Sequence, residues 1–97
     1  MRSEIVELLK LGPFPSESAG AVQVAERETL VARITTPLSL AEAAALAGVL
    51  GPDDCFGLAW SVVHLIESAP GWGLRHVPLG SSPFLPLLRS RATRVRA

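Results

Sequence analysis

One cysteine in 97 residues, Cys55, leaves no partner for an internal disulfide. No oxidised framework holds this chain, and a reducing cytoplasm is the expected compartment. Long apolar runs are missing too. The longest, residues 55–66, is broken by Ser61 and His64 and falls short of the roughly 18 to 20 apolar residues that a membrane span needs. Residues 1–11 carry Glu4 and Glu7 among their aliphatics, which is unlike the apolar core of a secretory signal. Metal-binding residues are sparse. His64, His76, Cys55 and scattered acids match no zinc spacing, so neither a metal nor another cofactor is expected. Gly71-Trp72-Gly73 lacks the lysine and the preceding strand of a phosphate-binding loop.

Net charge is zero, so total charge argues for neither a nucleic-acid nor a membrane partner. Its distribution is uneven. Residues 1–67 hold nine acids against four bases, a net of −5, whereas residues 68–97 hold five arginines and no acid, a net of +5. The two ends can pair with each other or present faces of opposite sign to a partner. With 48% hydrophobic and 19% charged residues the chain has enough apolar material for a core. Its length fits one domain over residues 1–97.

Leu11-Gly12-Pro13, Leu50-Gly51-Pro52 and Leu79-Gly80 followed by Pro83 read as helix stops followed by restarts. Between them, Ser3 is placed to cap a short helix with Ile5, Leu8 and Leu9 on one face. Residues 16–34 read as a helix with Glu26, Thr29 and Arg33 outward and Val24, Val31 and Ile34 inward. The competing pair of strands, 22–24 and 30–34, lacks a hairpin turn at Glu26-Arg27-Glu28. Ser39-Leu40-Ala41-Glu42 is a capping box ahead of an alanine-rich helix running to Leu50. Pro52, Asp53 and Asp54 suggest a fourth helix over 53–68, stopped by Ala69-Pro70-Gly71. Ser82-Pro83 caps a short last helix through Leu88, and the arginine-rich residues 89–97 are expected to fray.

In the fourth helix Asp54, Gly57, Ser61, His64 and Ser68 fall on one stripe, and nearly everything else is apolar. Such a helix needs cover on most sides, which predicts an all-α bundle of four to five helices around it.

His64 and Glu67, three residues apart, are spaced to form a polar pair. A general acid or base needs a nucleophile or second titrating group beside it. Cys55, nine residues from His64, is half a turn out of phase on a helix, so the pair reads as structural and no enzyme activity is expected. Asp53 and Asp54 have a sufficient reason in capping and the helix dipole, and are secondary candidates for partner contact. Trp72, between two glycines, either tucks back over the bundle or anchors a partner, with Arg75 and His76 as a polar rim. Tucking back is preferred, because so small a domain has few large side chains with which to close its core. Arg89, Arg91, Arg94 and Arg96 could contact phosphates, but no aromatic platform is interleaved with them and no helix-turn-helix signature accompanies them.

The stretch Gly51-Pro52-Asp53-Asp54-Cys55-Phe56-Gly57-Leu58-Ala59-Trp60, continued by His64-Leu65-Ile66-Glu67-Ser68-Ala69-Pro70-Gly71-Trp72, resembles a block in small bacterial proteins. Some of these are similar to immunity proteins, which neutralise a cognate polymorphic toxin by binding it. The resemblance implies stoichiometric inhibition without catalysis, and the acidic residues 1–67 would suit a basic toxin surface. It assigns no role to an individual residue. The expected function is therefore non-enzymatic protein binding, with a nucleic-acid-associated protein using the C-terminal arginines as the alternative.

Overall fold

A computed structural model describes residues 1–16, 21–53, 55 and 57–95. Every regular element among them is helical: α1 (Ser3–Leu11), α2 (Ala21–Ala32), α3 (Leu40–Ala47), α4 (Leu58–Glu67), a 3-10 turn (Leu74–His76) and α5 (Phe84–Val95). α1 packs on α2 and α3, α4 packs mainly on α3 and also on α2, and α5 lies against the 3-10 turn. The all-α bundle expected from the periodicity is the fold.

The apolar spacing decides which face of each helix goes inward. Ile5 and Leu8 of α1 are fully buried. Leu9, expected beside them, is 37% exposed: it lies at the edge of that face, about 40° from Ile5 and about 100° from Leu8. Ser3 is the first helical residue rather than the cap. The cap position falls to Arg2, which is extended and makes no side-chain capping bond. α2 buries Val24 and Val31 and exposes Glu26 and Thr29, so the inward and outward stripes hold. Of the helix expected over 16–34, Ala21–Ala32 is helical, Ser16 is irregular, Ile34 is buried just past the end, and residues 17–20 lie outside the described residues.

The capping box at α3 is complete. Glu42 N–H donates to Ser39 Oγ at 3.1 Å and Ser39 N–H donates to Glu42 Oε1 at 3.0 Å. α3 itself ends at Ala47, short of Leu50.

α4 begins at Leu58, about five residues later than Pro52 and Asp53 suggest. Two left-handed residues explain the delay: Cys55 has φ +52° and Gly57, the N-cap of α4, has φ +93°. A right-handed helix cannot propagate through either. The helix is also less enclosed than expected. Leu58, Ala59, Val62, Val63 and Ile66 are buried, but Trp60 is 40% exposed alongside Ser61 and His64.

The three leucine-glycine junctions work in different ways. Only Gly12 among their glycines has a positive φ, +84°, at the end of α1. Gly51 is needed for closeness instead, since a Cβ there would stand 2.0 Å from the carbonyl oxygen of Phe14. That contact locks the 12–16 loop on the end of α3, together with the bond from Phe14 N–H to Val49 O at 2.8 Å.

Ser82 Oγ accepts from Phe84 N–H at 3.2 Å and donates to Gly51 O at 2.8 Å, so it starts α5 and ties it to the segment that follows α3. α5 then runs through Arg89 to Val95 rather than ending at Leu88. The described part of the expected frayed tail is helical; Arg96 and Ala97 lie outside the described residues.

Candidate functional site

Helical spacing builds an open groove between α2 and α4. Glu28, Val31 and Ala32 of α2 face Leu58, Ser61, His64 and Leu65 of α4, with Gly57 at one end, around a hollow of about 540 Å³. Spacings of three and four residues on both helices put these side chains along facing edges. The small residues Ala32, Gly57 and Ser61 leave the space. The floor is apolar, from Val31, Leu58 and Leu65, while Glu28, Ser61 and His64 form an exposed polar rim. One residue from Ser61, exposed Trp60 meets Phe84 of α5 edge-on, with ring centroids 6.1 Å apart. The sequence hid this groove because its apolar floor has the same periodicity as the core.

His64 was expected to pair with Glu67, and it does not. The carboxylate of Glu67 instead accepts two hydrogen bonds from Arg91, from Nε at 2.6 Å and Nη2 at 2.7 Å. That bond holds the guanidinium in its charged form and raises the Arg91 pKa further. A planar guanidinium that can bind a carboxylate through two parallel bonds outcompetes a histidine one helical turn away. His64 is left exposed on the groove rim.

Cys55 is buried at 1% exposure, and its thiol donates to Pro15 O at 3.2 Å, so the cysteine and histidine do not meet. No group of three or more metal-ligating side chains comes together among the described residues.

The other candidates sit around a second hollow of about 350 Å³, lined by Gly71, Trp72, Gly73, Arg75 and His76. Trp72 is half-buried and packs against the core, as preferred from the sequence. Its ring stacks on His76 at 5.9 Å with 28° between the planes. His76 Nδ1 accepts from Gly73 N–H at 3.2 Å, which fixes the imidazole in the turn. Arg75 is exposed. Thus Trp72, Arg75 and His76 come together. Asp53 is not among the residues lining their hollow; it lies in the turn well ahead of the α4 start, so the helix-start role expected for it does not apply. Asp54 lies outside the described residues.

Two arginines that sequence reading passed over are structural centres. Arg2 reaches Glu42 across 40 residues, with Nε to Oε2 at 3.0 Å and its own N–H to Oε2 at 3.2 Å. Its guanidinium also bonds the oxygens of Thr35 and Pro37. Backbone donors from Ser39 and Arg2, followed by the Arg2 side chain, outweigh the cost of burial and hold Glu42 down at about 2. Arg27 is 6% exposed and donates to Gln23 O, Leu11 O and Pro13 O, with its guanidinium 5.9 Å from the centroid of Phe14. A cation on the last carbonyl of α1 complements the negative end of that helix. These pairings join residues far apart in sequence, which local spacing cannot reveal.

No protein-family model matches this sequence, and neither a curated protein nor a solved structure is significantly similar to it. No helix is long and apolar enough to cross a membrane among the described residues.

Proposed function

We propose that this chain is a non-enzymatic binding module that acts by occupying a protein partner stoichiometrically, in the manner of an immunity protein on a toxin. The observation that carries this reading is the α2–α4 groove: an apolar floor beside the exposed carboxylate of Glu28, and room for side chains of a partner. An anchor in such a hollow with a paired charge at its rim is how small interfaces concentrate their affinity. Glu28 is the one carboxylate among the described residues lining the groove, and no lysine or arginine is among them, which favours a basic partner surface.

The alternative, phosphate binding by the C-terminal arginines, is weaker. Arg91 is committed to Glu67, and Arg89 donates to Pro78 O at 3.1 Å. Two of the four candidates are thereby drawn into the fold.

Co-expression tests the proposal. A toxin domain encoded immediately beside this gene should arrest growth when produced alone and should be silenced when this protein is produced with it. Growth arrest that persists despite soluble, folded protein would refute the inhibitor reading.

A further inference from the structure

The hollow at Gly71–His76 is independent of the α2–α4 groove, and its side-chain chemistry points the other way. Its three polar side chains all offer donors. Trp72 Nε1–H is buried and has no acceptor among the described residues, although indole N–H groups usually find one when buried. His76 accepts through Nδ1 from Gly73 N–H. With Nδ1 accepting, the ring proton lies on Nε2, so its remaining nitrogen is a donor. Arg75, which can only donate, is exposed and makes no ion pair among the described residues. By contrast, Arg2 and Arg91 are both held by carboxylates. The segment from residue 68 onward contains no acid to fill the role internally.

We propose that this hollow binds a carboxylate of an acidic peptide segment, with the Arg75 guanidinium as the charged clamp and His76 Nε2–H as the second donor. The planar indole, stacked on His76, offers an apolar wall for the methylene stem of a glutamate. A carboxylate suits the site better than a nucleic-acid backbone, because a single arginine fork matches one planar anion, whereas tracking a phosphate chain takes several cations in a row.

The test is a titration of the whole protein with acetylated tetraglutamate, followed by the Trp72 indole and His76 ring resonances. Tetraglutamine, inorganic phosphate and oligouridylate serve as parallel probes. The expected result is saturable binding of tetraglutamate with a shift of the Trp72 indole N–H. Arg75→Ala should weaken that binding by about tenfold, and Arg75→Lys should fall between it and the wild type. Arg75 is exposed, so both variants should keep the wild-type melting temperature, which separates lost binding from lost fold. Three results would overturn the assignment: no shift with tetraglutamate at millimolar concentration, equal binding of tetraglutamine, or tighter binding of phosphate or oligouridylate than of the peptide.

Discussion

Glu42→Gln is the substitution whose effect follows most directly from the structure. The carboxylate of Glu42 is buried, accepts from the backbone of Ser39 and of Arg2, and forms an ion pair with the Arg2 side chain. These contacts lower its pKa from 4.5 to about 2. Because the folded value lies below the unfolded one, the charged form stabilises the fold. That contribution is complete above pH 4.5 and is lost as the pH falls toward 2. The size of the shift corresponds to about 3 kcal/mol, an upper bound because Arg2 is 28% exposed and solvent screens it. Against a total stability of about 5 to 15 kcal/mol for a small domain, that is a large share.

Urea unfolding of wild type and Glu42→Gln between pH 7 and pH 2.5 measures it. Glutamine keeps the shape and one acceptor but not the charge. The variant should be about 2 to 3 kcal/mol less stable at pH 7, and the difference should shrink steadily below pH 4.5. Other carboxylates titrate in both proteins and cancel in the difference. A gap between the two proteins that stays constant down to pH 2.5 would refute the assignment of this acid limb to Glu42.

Three further substitutions probe the fold. His64→Ala should change stability by no more than about 0.5 kcal/mol, since the side chain is exposed on the groove rim; a loss above 1 kcal/mol in chemical denaturation would mean that it holds a buried bond. Gly51→Ala should cost at least about 1 to 3 kcal/mol, because the new methyl meets the Phe14 carbonyl oxygen at 2.0 Å; an unchanged melting temperature would show that the 12–16 loop is not locked there. Trp72→Ala should cost about 2 to 3 kcal/mol, less than a fully buried tryptophan, because the ring is half-buried against the core. Melting within a degree or two of wild type would remove Trp72 from the core shell.

Where sequence and structure agree, the signals are local and unopposed. Ser39 and Glu42 could satisfy each other only at a helix start, and Val24 and Val31 fall two turns apart on one face, where the buried Arg27 between them is satisfied by backbone carbonyls. Where they part, two signals conflict or the partner is distant. Pro52-Asp53-Asp54 has the composition of a helix N-terminus, but the left-handed backbone at Cys55 and Gly57 defers the start to Leu58. Glu67 has a histidine one turn away, yet Arg91 arrives from 24 residues downstream with the better geometry. The run from Arg89 onward contains no helix breaker, so its charge suggested fraying while its backbone continues the helix to Val95. The groove follows from that same limitation: Val31, Leu58 and Leu65 carry core periodicity, and only their placement beside Ala32, Gly57 and Ser61 leaves their edges open.

Whether the α2–α4 groove is the surface that takes a basic protein partner is decided by calorimetric titration of a toxin domain encoded beside this gene into wild type and into Glu28→Lys. Glu28 is exposed, so the variant should fold as the wild type does. The expected result is a one-to-one complex with wild type and an affinity weakened about tenfold or more in Glu28→Lys, where attraction at the rim becomes repulsion. Equal affinity in both proteins would place the interface elsewhere, and the absence of a complex with wild type would rule the groove out as that surface.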